Sequence, residues 1–175
     1  MGNLRLLLLT GLLLASLPAS PQARPGEAAP DFSLPSLGDG NLRLSEYRGQ
    51  VVLLAFWASW CGECMEQLPR LAEQARRAGG GDIQLLAVNI DRASHRAREM
   101  AAQFDYPVLF DEEQQVARLY DLRQLPVAIL VDAHGRVRHG ESRLGRRELD
   151  GFLGQLQLLL DESAVTAPLA ATVTD

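Results

Sequence analysis

Three features of this sequence predict an α/β fold, a central sheet with flanking helices and a short hairpin in front. Two continuous apolar runs, VVLLAFWA (51–58) and IQLLAVNI (83–90), have strand length and the composition of strands covered on both faces. Between them, Met65, Leu68, Ala72 and Ala75 recur at helical spacing, which makes a βαβ unit and predicts that the two strands are parallel. Near the end, Leu149, Phe152, Leu153, Leu156 and Leu160 line one face of an amphipathic helix.

The elements follow in order. MGNLRLLLLTGLLLASLPAS (1–20) combines Arg5, an apolar run from Leu6 to Leu17 and a small-residue end. That run falls short of the ~20 residues that span a bilayer. Residues 1–20 therefore read as a secretory signal peptide, with an uncleaved anchor as the alternative because no clean A-x-A site follows. No cysteine stands directly after the run, which argues against a lipidated amino terminus. PQARPGEAAP (21–30) reads as a linker, and one domain is expected over 31–161. DFSLPSLGDGNLRL (31–44) resembles two short strands around Gly38-Asp39-Gly40.

The first helix is expected to stop at Gly79-Gly80-Gly81, and a second to carry Ala97, Met100, Ala101 and Phe104 on one face. YPVLF (106–110) reads as a short extended piece outside the four core strands, and Glu112 to Tyr120 as a short helix. VAILVD (127–132) and RVRH (136–139) flank Ala-His-Gly, an antiparallel hairpin with Gly135 at positive φ. After the last helix, 162–175 has little to bury and reads as a flexible tail.

Composition narrows the chemistry. The net charge is −5, and the 17 basic residues are all arginines, so lysine Schiff-base chemistry is excluded. RASHRAR (92–98) reads as a solvated helix face, and nucleic acid is not an expected partner.

Chemistry concentrates in FWASWCGEC (56–64), which holds both cysteines, Cys61 and Cys64. Spacing of i and i+3 at a helix start places them close enough to bridge. As a structural staple the pair gains little, roughly 2 kcal/mol for so short a loop. Structural zinc wants four ligands, and only His95, His134 and His139 stand as nitrogen candidates, with nothing bringing them to the cysteines. The redox reading has position in its favour. A thiol at the first turn feels the helix's positive end, which favours thiolate, while one turn further in a second thiol is better shielded for resolving a mixed disulfide.

The strand running into Phe56-Trp57-Ala58-Ser59-Trp60-Cys61, Pro69 five residues past Cys64, and Leu125-Pro126 before the hairpin together resemble the thioredoxin superfamily. More narrowly they resemble its TlpA/ResA-type extracytoplasmic thiol–disulfide oxidoreductases, and the segment before VVLLAF looks like that branch's amino-terminal extension. The resemblance covers roughly residues 28–160 and implies a thioredoxin-like fold. It implies Cys61 as the exposed nucleophile, Cys64 as the resolving thiol, and a cis Leu125–Pro126 bond facing them. It also implies client docking around Trp60, Gly62, Glu63, Leu125 and Pro126, and a Pro69 kink in the active-site helix. It implies a periplasmic reductase of client-protein disulfides, recharged by a membrane-embedded electron donor, with cytochrome c maturation as a setting. No metal or organic cofactor is needed, and a monomer is expected.

Two departures stand out. Ala55 occupies the strand position where many thioredoxins carry a buried acid, and Gln67 the position where several ResA-type proteins carry Glu. Glu63 and Glu66 are the nearest acids left. The charge of Glu63 must lie near the sulfurs and disfavours thiolate, opposing the helix effect; Glu66 reads as a solvated first-turn acid. Three other readings stay open at this level. They are a disulfide-donating oxidase, a binding module on the same fold with a permanent disulfide, and a peroxiredoxin, whose Pro-x-x-x-Thr-x-x-Cys loop is absent from FWASWCGEC.

Overall fold

The computed structural model describes residues 24–38, 40–78, 82–142 and 146–166. The expected signal segment, Asp39 of the hairpin turn, the Gly79–Gly81 helix stop and residues 167–175 lie outside them. In chain order the elements are β1 (Ser33–Pro35), β2 (Asn41–Arg43), a 3-10 turn (Leu44–Tyr47), β3 (Val51–Trp57), α1 (Gly62–Arg77) and β4 (Ile83–Asn89). Then come α2 (His95–Ala101), β5 (Val108–Phe110), α3 (Gln115–Leu119), β6 (Val127–Val131), β7 (Val137–Ser142) and α4 (Arg146–Thr166). Among the described residues no helix is long and apolar enough to cross a membrane.

The sheet order is β5-β4-β3-β6-β7, with β3–β4 and β4–β5 parallel and β6 antiparallel to β3 and β7. The βαβ reading therefore holds. The count of four core strands does not, because β5 joins the sheet beside β4. Its three residues are all buried, and so short a run gives too little pattern to tell a strand from a loop.

Every residue of β3 is buried, and its two faces feed two cores. Val51, Leu53, Ala55 and Trp57 pack with α1, α2 and α4, while Val52, Leu54 and Phe56 face Phe32, Leu34, Leu44 and α3. The amino-terminal hairpin is thus a wall of the core. Ser36 bridges to Leu109, and the Leu37 N–H donates to the Val108 carbonyl at 2.9 Å, so the hairpin also covers the β5 edge.

The linker reading of 21–30 needs correction for its described part. The Gly26 N–H donates to the Val137 carbonyl at 2.7 Å, Val137 N–H to Glu27, and Ala29 N–H to Gly135, which fastens residues 26–29 along β7. Gly135 takes φ 77° as expected, and a Cβ there would meet the Arg48 guanidinium. At the other end α4 runs to Thr166, past the expected domain limit at 161. The sequence lost the helical signal there because this last turn offers few large apolar residues.

Tyr120 ties the two ends of the second core together. Its ring meets Phe32 edge-on at 6.0 Å and Phe56 at 5.6 Å, and its hydroxyl donates to the Pro30 carbonyl at 2.8 Å. Burial, and secondarily Asp31, pushes this phenol far above its ordinary range, so it stays a donor throughout the working pH range. Tyr120→Phe leaves the Pro30 carbonyl unpaired and is expected to cost about 1–2 kcal/mol in urea unfolding, with m unchanged.

Candidate active site

β3 delivers the chain at Trp57, and Ala58, Ser59 and Trp60 turn it into α1. Cys61 is the N-cap of α1 in extended conformation (φ −91°, ψ 95°), and its N–H donates to the Ala58 carbonyl at 3.0 Å. Cys61 and Cys64 form a disulfide with Cα atoms 5.3 Å apart. The Cys64 N–H donates to Cys61 Sγ at 3.1 Å. This is one of the helix-start donors without an intrahelical acceptor. It points at the sulfur on which negative charge develops when the bond is reduced.

Cys61 is 8% exposed and Cys64 1%. The exposed nucleophile implied by the resemblance is therefore a nearly covered one, although the ranking of the two sulfurs is as implied. The physical reason is the cap position: Cys61 sits at the helix edge, while Cys64 lies one turn in, against the core that contains Ala55 and Ala128. α1 is continuous through Pro69.

The Leu125–Pro126 bond is cis, with Pro126 buried directly before β6. Trp60 is 68% exposed. It shares with Leu125 a cleft of about 330 Å³, whose other wall includes Gln114 and Arg118. The structure thus brings Trp60 and Leu125 together. Gly62 and Glu63 are exposed on the first turn of α1 and do not line that cleft.

The two departures have a structural counterpart. Ala55 pairs with Ala87 on one side and Ala128 on the other, a row of methyl groups across the sheet in the core that holds the cysteines. Gln67 is buried, and its Oε1 makes no hydrogen bond within the described protein; neither does Trp57 Nε1. Glu66 is exposed, as a solvated acid should be.

A carboxylate that sequence reasoning missed stands elsewhere. Asp91, 6% exposed just past β4, accepts from the Ser59 N–H at 2.8 Å and from Asn89 Nδ2 at 2.9 Å, both on Oδ2. Its own N–H donates to Asn89 Oδ1 at 3.1 Å. The Ile90 N–H donates to the Trp57 carbonyl at 3.0 Å, so the β4 end clamps the loop that leads into Cys61. The available signal was Asn-Ile-Asp closing an otherwise apolar strand.

Val131 pairs with Val52, so His134, in the turn after β6, is at the opposite end of β3 from Cys61. His139 rests on Phe152 at 5.7 Å, and His95 is exposed beside Glu99. Among the described residues no three His, Cys, Asp or Glu side chains are grouped to hold a metal ion.

Residues 25–140 match the AhpC/TSA family. This chain belongs to that family. Within it, the similarity of this AhpC/TSA protein runs to thiol–disulfide oxidoreductases. It is 34% identical over 115 residues to thiol-disulfide oxidoreductase ResA of Geobacillus kaustophilus, covering 65% of this chain and 66% of the relative. It is 29% identical over 114 residues to ResA of Bacillus subtilis, covering 64% of each. The matches thus span about two thirds of the length of these curated relatives. A crystal structure from Chlorobium tepidum, described as a thiol:disulfide interchange protein DsbE, superposes with TM-score 0.75 at 32% identity, covering 79% of this chain and 99% of that one. The thioredoxin-like fold and the resemblance to ResA-type oxidoreductases are both confirmed by these relatives.

Proposed function

We propose that this protein reduces disulfides of client proteins outside the cytoplasm. The observation that carries the reading is the Cys61–Cys64 disulfide at the start of α1, with a helix N–H on the more open sulfur. In the reduced protein the Cys61 thiolate attacks one sulfur of a client disulfide. A Cys61–client disulfide forms and the client's other sulfur leaves as thiolate. The Cys64 thiolate then attacks Cys61 Sγ, which releases the second client thiol and regenerates the disulfide seen here. Two electrons pass to the client, and a membrane-embedded donor returns them.

The client segment docks on Trp60, Leu125 and Pro126, with Gly62 and Glu63 at the rim on α1. Export by residues 1–20, a monomeric state and a setting in cytochrome c maturation belong to the same reading. Export draws support from the leader-like sequence, and the exchange chemistry from the similarity to a thiol–disulfide oxidoreductase.

The deciding experiment equilibrates the purified protein against glutathione and dithiothreitol buffers and follows insulin disulfide reduction alongside. A reductase is expected to poise near or below the thioredoxin value of about −270 mV and to reduce insulin. A value towards about −120 mV reverses the direction and makes disulfide donation the task. A pair that exchanges with neither buffer leaves a binding module with a structural disulfide. Consumption of hydrogen peroxide at rates above those for disulfides points instead to peroxidase chemistry.

A further inference from the structure

The wall of the Trp60 cleft formed by α3 and the residues after it is basic. Arg118 and Arg123 line it, and Arg92 stands beside it, its Nε donating to Gln114 Oε1 at 3.3 Å. Asp121 is the one carboxylate among the described lining residues, and Arg123 engages it at 2.6 Å. The Arg118 side chain makes no hydrogen bond or ion pair with a described residue. It lies within electrostatic reach of Asp111, whose oxygens already accept from the Gln115 and Ala117 N–H groups, each at 2.8 Å. In a chain of net charge −5 the lining of this cleft thus carries two arginines and one carboxylate, with Arg92 bonded to the lining residue Gln114.

The wall is also built to hold its shape. Gln114, immediately before α3, takes the left-handed conformation (φ 54°, ψ 32°), which disfavours any residue but glycine. It is held there by its own side chain, whose Nε2 donates to the Ile90 carbonyl at 3.0 Å. Asp121, just beyond α3, is left-handed as well (φ 51°). Arg118 therefore projects from a short helix whose first end is tied, through Gln114, to the end of β4, which also clamps the cysteine loop.

We propose that this cleft selects clients whose chain carries Asp or Glu within a few residues of the cysteine attacked by Cys61, with Arg118 and Arg123 as the selecting residues. The proposal rests on the oxidoreductase reading above and gives it a substrate class. Trp60 adjoins Cys61 in the chain and lines the cleft together with Leu125, so a segment lying over Trp60 continues into the arginines. Complementary charge acts on encounter and register more than on the sulfur chemistry.

The test uses three disulfide-linked fluorogenic peptides that differ only in Glu, Gln or Lys at two positions flanking the cysteine. A small aromatic disulfide serves as the chemistry control for the wild-type protein. The kcat/KM for the Glu peptide is expected to exceed that for the Lys peptide roughly tenfold at low salt, and the ratio to shrink towards one as salt is raised. Arg118→Gln is expected to reduce the ratio, and the double change Arg118→Glu with Arg123→Glu to invert it. Equal kcat/KM for the three peptides, with the control disulfide turned over, overturns the proposal alone. Failure to reduce the control disulfide overturns the oxidoreductase reading and the proposal together. A ratio that is salt-sensitive but unchanged in both variants moves the selection away from these arginines and also overturns it.

Discussion

Cys64→Ser is expected to stop turnover and leave the protein trapped as a mixed disulfide with its client, whereas Cys61→Ser stops turnover without trapping. The asymmetry follows from the geometry. Cys61 caps α1, is the more open sulfur and accepts the Cys64 N–H, so it is poised to attack. Cys64 is buried one turn further in, within reach of Cys61 but shielded from a protein disulfide. Removing it deletes the resolving step while the first exchange proceeds. The Cys64 backbone N–H survives the substitution, so the stabilising contact on Cys61 is retained. Non-reducing electrophoresis of the two variants after incubation with a reducible client reads the outcome. Trapping by Cys61→Ser in place of Cys64→Ser would reverse the assigned roles.

Asp91→Ala is expected to lower both stability and turnover, and Asp91→Asn to restore most of each. One carboxylate oxygen, Oδ2, accepts from Ser59 N–H and Asn89 Nδ2, and it is buried. Truncation leaves both donors without this acceptor, at a cost of about 1–3 kcal/mol for the buried Asn89 amide and less for the half-buried Ser59 N–H. The loop from Ala58 to Trp60 then loses its anchor, and the Cys61 cap geometry with it. Because an amide oxygen can take both bonds, Asn preserves the clamp while removing the charge. Denaturant unfolding and insulin reduction of the two variants separate the possibilities. Equal stability and equal turnover for Asp91→Ala and wild type would show that the clamp does not position the cysteines. Turnover lost in Asp91→Asn with stability intact would instead assign the charge itself a part in the chemistry.

Much of the site was legible because its chemistry is local. Cys61 and Cys64 belong to one helical turn, and VVLLAFWA running straight into them marks a buried strand that ends at a helix start. The cis Leu125–Pro126 bond was legible only through resemblance, since nothing local in Leu-Pro distinguishes cis from trans. The absences at Ala55 and Gln67 could be read, but not the row of alanines that makes the first of them apolar. Register decides that row, and register is a property of three strands from distant parts of the chain.

The sequence by itself determined the parallel β3–β4 unit, the β6–β7 hairpin, the amphipathic last helix and the closeness of the two cysteines. Hydrophobic period and turn chemistry act over a few residues, and those elements obey them. Only the tertiary structure decided that residues 26–29 fasten along β7, that β5 completes the sheet, and that Asp91 reaches back to Ser59. It alone gathered Trp60, Arg118 and Arg123 around one cleft. Each of these depends on backbone or side-chain polar groups meeting partners far away in sequence. A buried donor or acceptor must be satisfied, but its residue type does not say by whom.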